Sequence, residues 1–294
     1  MIAKMESNQN TNTSRTPLWG VGGLTILDQI IAHKKTEIAN AKAKISAQDL
    51  MQQPLFKRAI FSLKQFLLDE TKTGIIAEFK RQSPSKGIIN ATADVAEVTK
   101  AYTENGASCL SVLTDEYFFG GTVSDLQKAR VNNIPILRKD FMIDEYQVVE
   151  AKAMGADVIL LIAACLTPEK VKEMAAFAKQ LNVEVLLEIH NEEELQHICD
   201  DTQIVGVNNR DLKTFTVDIN RSIELSKKIP ADKIKIAESG IHDVQTISTF
   251  KNAGFKGFLM GENFMKQPDP SIAFADFVHQ LKKSSSLASG GGYK

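Results

Sequence analysis

The chain has few cysteines, only Cys109, Cys165 and Cys199, and they are widely separated. That spacing excludes a disulfide scaffold and a cysteine zinc site and fits a reducing compartment, so a cytoplasmic location is expected. The five histidines, His33, His190, His197, His242 and His279, fall mostly on predicted helices and loops without metal-ligand spacing, and no metal is expected. Neither sign of charge dominates: 35 Lys plus Arg against 36 Asp plus Glu leave a formal net charge of -1. No global field then favours nucleic acid or an anionic membrane, and neither is expected as a partner; an anion site must be local. The longest apolar run, residues 158–166, is well short of the roughly 18 residues of a membrane-spanning helix and reads as a buried strand. There is no Gly-x-Gly-x-x-Gly after a strand-like run and no Walker sequence, so nucleotide binding has no support and no organic cofactor is expected.

Between two polar ends, short runs rich in Ile, Val and Leu alternate with longer segments of helical period. Residues 1–23 read as an unstructured leader without a secretory h-region, and residues 284–294 as a flexible tail. Residues 24–283 then form one domain. The strand-like runs are 75–80, 109–114, 135–141, 158–163, 183–189, 204–209, 234–239 and 257–261. About eight such units in alternation predict an α/β fold, a (β/α)8 barrel. Helix starts are legible at Thr167-Pro168-Glu169, at Asn191 with three glutamates after it, and at Asp269-Pro270. Ahead of the first strand, Leu27, Ile30 and Ile31 make an apolar stripe beside His33, Lys34 and Lys35. This extra N-terminal helical segment suits a plug below the barrel and a lid over its mouth equally well.

Strand side chains alternate, so every second residue points into the barrel, and those at C-terminal strand ends line the mouth. On that parity Glu78 and Lys80 share a face on the first strand. One such pair could be a structural plug, but the pattern recurs: Lys139, Glu188, Asn208 with Arg210, and Glu238 with Ser239 stand at later strand ends. Carboxylates and ammonium groups converging in a partly dry mouth shift one another's acidity, which supplies proton donors and acceptors near neutral pH. Arg138 and Asp140 have the opposite parity and are expected to pair outside the barrel. Ser239-Gly240 and Gly261-Glu262-Asn263, after the seventh and eighth strands, offer backbone amides to a phosphate. The loop around Ser83 could close over a substrate. Cys165 reads as an inert thiol.

Taken in order, Glu78-Phe79-Lys80-Arg81-Gln82-Ser83-Pro84-Ser85, Leu113-Thr114-Asp115-Glu116, Leu137-Arg138-Lys139-Asp140-Phe141, Leu187-Glu188, Val207-Asn208-Asn209-Arg210-Asp211-Leu212 and Ala237-Glu238-Ser239-Gly240-Ile241 resemble the indole-3-glycerol-phosphate synthase family. The resemblance runs from about Leu27 to about Lys283. It implies a cofactor-free carboxy-lyase of tryptophan biosynthesis whose partner is a small phosphorylated substrate. The oligomeric state is left open, a monomer being compatible. By resemblance Lys139 donates a proton to the substrate ketone, and a second donor and a base lie among Glu188, Lys80 and Glu78. Asn208 and Arg210 orient Glu188 and the anthranilate end, and Phe119 gives the ring an apolar wall. Ser239, Gly240, Gly261 and Glu262 hold phosphate, with Glu238 and Ser83 at the substrate. Tyr117 departs from the lysine of many relatives, and Glu262-Asn263 from a Gly-Ser-Ser type ending; the Glu262 carboxylate is expected to turn away from phosphate. Two other readings stand beside this one. A related phosphoribosylanthranilate isomerase would carry a cysteine near the first strand, where Glu78 and Lys80 stand instead. A barrel that only binds phosphorylated metabolites would not turn over.

Overall fold

The computed structural model describes residues 25–211 and 216–289. The expected leader, the motif residue Leu212 and the last residues of the tail lie outside the described ones. Strands β1 (Ile75–Phe79), β2 (Cys109–Leu113), β3 (Ile136–Lys139), β4 (Val158–Ile162), β5 (Glu184–Ile189), β6 (Ile204–Asn208), β7 (Ile234–Glu238) and β8 (Gly257–Met260) are the barrel staves. Each pairs in parallel with its sequence neighbours, and β1 closes the ring on β8 through Ile75 opposite Phe258. Every one corresponds to an expected run, trimmed where the chain leaves the ladder.

The alternation of the strands sorts the core into two layers. Ile75, Ala77, Leu110, Val112, Ile159, Leu161, Val205 and Val207 face outward into the layer shared with the helices. Ile76, Cys109, Leu137, Val158, Leu160, Leu186, Ile204, Ile236 and Leu259 fill the barrel interior. Packing both faces of a parallel sheet is why these strands read as unbroken apolar runs.

The N-terminal segment serves at both ends of the barrel, with its two roles on different helices. Helix α1 (Ile26–Lys44), opened by a Thr25–Asp28 capping box, lies over the mouth, since Lys34 meets Asp115 and Asp140 just beyond β2 and β3. After the short helix α2 (Ala47–Met51), helix α3 (Leu63–Leu68) plugs the opposite end, where Leu63 and Leu67 join Ile76, Ile204 and Ile234. Gly257 makes room for that plug: a Cβ there would sit 3.0 Å from Leu67 Cδ2 and 2.9 Å from Ile236 Cγ1.

The remaining helices are α4 (Val95–Glu104), α5 (Glu116–Phe119), α6 (Val123–Ala129), α7 (Glu145–Met154), α8 (Pro168–Gln180), α9 (Ile219–Ser226), α10 (Val244–Asn252), α11 (Glu262–Met265) and α12 (Pro270–Ser289). Thr167 caps α8 with Pro168 in its first turn, as expected. Two expectations are corrected. The glutamates after Asn191 form only a 3-10 turn, Glu193–His197; Asn191 caps it through the Glu194 amide, but the chain breaks off at Ile198 toward β6. The tail expected from Ser284 instead continues α12 to Ser289, because Phe274, Phe277, Val278 and Leu281 dock the helix and no breaker intervenes. Among the described residues, no helix is long and apolar enough to cross a membrane.

Candidate active site

Glu78 and Lys80 project from the end of β1 on the inward parity. The Lys80 ammonium lies 2.8 Å from Glu78 Oε1, and Ser111 on β2 reaches Glu78 Oε2 at 3.4 Å. Burial pushes the Glu78 carboxyl up, but Lys80 and Lys139 outweigh it and hold the group below its usual range. Gly261 lets the β8 end pass close by, since a Cβ there would fall 2.8 Å from Glu78 Oε1.

Lys139, at the end of β3, is the hub. Its ammonium is 3.1 Å from Glu188 Oε2 on β5 and 3.4 Å from Glu238 Oε2 on β7. Burial alone would lower its pKa, yet Glu188, Glu238 and Glu78 together push it well above the usual lysine range. The two carboxylates differ. Glu188 is held well below its usual range: burial opposes ionisation, and Lys139, His190 and Asn208 overcome it. Glu238, buried and repelled by Glu188, is pushed up to about 8, with Oε1 lacking any hydrogen-bond partner. Gly206 on β6 creates the space for it, as a Cβ there would lie 2.1 Å from Glu238 Oε1. A side chain at 206 would therefore displace the end of the Glu238 side chain.

Asn208 donates to Glu188 Oε1 at 2.9 Å, as expected of a group that orients it. The same oxygen lies 3.1 Å from His190 Nε2. His190 was not among the expected site residues, although the parity of Leu186, Glu188 and His190 carried the signal; grouping it with helix and loop histidines hid its place at a strand end. Cys165, beside β4, has its thiol pushed up by burial and by Glu188 and Glu194, consistent with the inert reading.

The opposite rim is built from turns. Ser239 and Gly240 both have left-handed backbones, φ 68° and 70°, and Val217 packs where a Cβ at 240 would sit. Gly261 precedes α11 without a side-chain cap, so its first amides are not spent on one. Arg210 donates its amide to Asn208 Oδ1 at 3.0 Å, and its guanidinium stands 3.9 Å from Glu262. Glu262 also lies 3.9 Å from Lys86 on the loop after β1. Its carboxylate thus lies within 3.9 Å of two cations at the rim. Phe119, ending α5, sits with its ring centroid 6.0 Å from that of Phe141, which packs on the barrel interior. Ser83 stays outside the charged cluster, in a small ribbon pairing Gln82–Ser83 with Gly87–Ile88, its hydroxyl accepting from the Lys86 amide at 3.3 Å. Arg138 and Asp140 pair at 3.0 Å outside the barrel, as their parity requires. Among the described residues no group of three or more His, Cys, Asp or Glu could hold a metal ion.

The model of the family "Indole-3-glycerol phosphate synthase" matches residues 27–277. The chain belongs to the indole-3-glycerol phosphate synthase family. A relative from Bacteroides thetaiotaomicron bearing that name is 46% identical over 258 residues, covering 87% of this chain and 99% of its own. Another from Polaromonas is 44% identical over 256 residues, covering 85% and 97%. Solved structures share the barrel at low identity. The tryptophan synthase subunit alpha of Legionella pneumophila superposes with a TM-score of 0.57 at 11% identity, covering 78% of this chain and 100% of that one. A mandelate oxidase variant gives 0.58 at 15%, covering 74% of each chain. The match to the indole-3-glycerol phosphate synthase family spans α1 and all eight strands, and so includes every charged residue of the cluster.

Proposed function

We propose that this site closes the pyrrole ring of 1-(2-carboxyphenylamino)-1-deoxyribulose 5-phosphate, releasing carbon dioxide and water to leave indole-3-glycerol phosphate in tryptophan biosynthesis. The observation that carries the reading is Lys139 held between Glu188 and Glu238 at the barrel mouth. Attack of the anthranilate ring on the sugar ketone builds charge on oxygen. An ammonium kept protonated meets that charge, and an alkoxide, being a stronger base than an amine, takes the proton. Carbon dioxide then leaves as the ring electrons return.

Dehydration needs a donor for the departing hydroxyl and a base for the remaining ring proton. Lys80, partly exposed at the rim while Glu78 anchors it, is the donor in this reading. Glu188, the carboxylate held ionised, is the base, and Asn208 fixes its angle. Glu238 carries its proton beside Lys139 and orients the sugar hydroxyls. Phosphate sits against the amides of Ser239-Gly240 and of Gly261 to Asn263, with Arg210 turning to the anthranilate carboxylate once Glu262 releases it. Phe119 and Phe141 wall the aromatic ring, and the Ser83 loop closes behind.

A fluorescence assay of indole-3-glycerol phosphate formation tests this. The wild-type chain turns over, whereas Lys139→Ala loses about 10²- to 10⁴-fold in kcat and keeps inorganic phosphate binding. Near-normal ring closure by that variant rejects the assignment.

A further inference from the structure

His190 is not used by the reaction as read above. It is 6% exposed, yet its imidazole touches the catalytic carboxylate on one side and an anchoring carboxylate on the other. Nε2 lies 3.1 Å from Glu188 Oε1, and Nδ1 lies 3.1 Å from Glu194 Oε2. The backbone amide of His190 donates to that same Glu194 oxygen at 2.7 Å. Glu194 is itself fixed: Asn191 Nδ2 donates to its Oε1 at 3.1 Å, and its amide donates to Asn191 Oδ1 at 3.1 Å. The clamp on the ring is therefore built within one turn of chain, independently of substrate.

The charged groups facing the imidazole are Glu188 on β5, Glu194 on the following 3-10 turn, and, across the mouth, Glu238 on β7. Lys139 on β3 approaches through Glu188, Asn208 on β6 shares the Glu188 oxygen, and Cys165 beside β4 feels both Glu188 and Glu194. Lys139 is shared by two carboxylates, so it does not by itself decide which one ionises. The asymmetry lies in what else they touch: Glu188 Oε1 accepts a hydrogen bond from Asn208 and has His190 Nε2 within ion-pair distance at 3.1 Å, a charge contact rather than an aligned hydrogen bond, whereas Glu238 Oε1 has no hydrogen-bond partner. A carboxylate with a second cation stays charged, and its unsupported neighbour takes the proton.

We propose that His190 is a positioning residue for ring closure: clamped by Glu194, it keeps Glu188 as the working carboxylate beside Lys139 and leaves the pair's proton on Glu238. This rests on the synthase reading, and the experiment separates the two. Profiles of kcat and KM against pH are measured for the wild type, His190→Asn, Glu194→Gln and the double variant. His190→Asn loses about tenfold in kcat with KM within about threefold. Its acid limb moves up by about one pH unit, as Glu188 gives up its second cation. Glu194→Gln moves the limb less in the same direction, and adds nothing in the His190→Asn background because it acts through the imidazole.

An acid limb unmoved in His190→Asn overturns the proposal, even if that variant melts earlier, as does full additivity of the two substitutions. A wild type without turnover fails the synthase reading instead. Independently of turnover, nitrogen NMR of the ring, assigned by the resonance missing in His190→Asn, should find both nitrogens protonated at pH 7 to 8; a neutral imidazole there overturns the proposal.

Discussion

Lys34→Met tests how the N-terminal helix is held to the barrel mouth. The Lys34 ammonium is fully buried, 2.8 Å from Asp140 Oδ1, 3.0 Å from Asp115 Oδ2 and 2.8 Å from the more exposed Glu37. Methionine keeps most of the stem volume, so little cavity cost enters. Asp140 would still have Arg138 at 3.0 Å and Thr114 at 2.7 Å. Asp115 Oδ2 would have nothing, since its Oδ1 is committed to the Phe118 amide that starts α5. Removing one member of a buried ion pair costs about 3–5 kcal/mol, and the retained partners of Asp140 place this case near 3 kcal/mol. That corresponds to a fall in Tm of roughly 6–12 °C.

Thermal and urea unfolding measure the loss, and hydrogen exchange locates it in α1 ahead of the strands. Lys34→Met/Asp115→Asn keeps the cap and removes the stranded charge, and should regain about 1–2 kcal/mol. A Lys34→Met protein within about 0.5 kcal/mol of wild type, or no recovery in the double variant, would refute the reasoning.

Gly206→Ala forces a methyl group against Glu238 and should cost about 1–3 kcal/mol together with a fall in kcat; wild-type stability in unfolding experiments would contradict the close approach. Stability should decline on the alkaline side. His190, with a usual value of 6.5, is pushed up to about 10, because its close contacts with the Glu188 and Glu194 carboxylates outweigh burial. The folded state then holds this proton more tightly: the contribution is complete below pH 6.5 and lost as pH rises through 10. Glu238, usual value 4.5 and pushed up to about 8, acts in the same direction between those values. The unfolding free energy from urea titrations across pH should fall by up to about 1.4 kcal/mol per pH unit per group, and His190→Asn and Glu238→Gln should each flatten the decline in their own window. Cys165, its thiol pushed up, should alkylate far more slowly at pH 8 than an unfolded control, as mass spectrometry would read.

Much of the site was legible because a parallel barrel converts strand position into direction. Parity placed Glu78, Lys80, Lys139, Glu188, Asn208 and Glu238 inward and Arg138 and Asp140 outward, and the coordinates agree. Parity ends where regular backbone ends. Ser83, Phe119 and Arg210 lie beyond the barrel strands, on a short ribbon, a short helix and a bridge in a loop, where strand parity says nothing about direction. The burial of Lys34 was not legible, since nothing local marks its partners, Asp115 and Asp140, which lie far along the chain.

By itself the sequence determined the strand count, the buried parallel sheet, and which polar residues share a strand face, since each follows from spacing within one short segment. Only the tertiary structure decided which of those residues meet, that α1 covers the mouth while α3 plugs the base, and that Gly206 yields its space to Glu238. Those outcomes depend on how far one strand is staggered against the next around a closed ring, a quantity that no single segment carries.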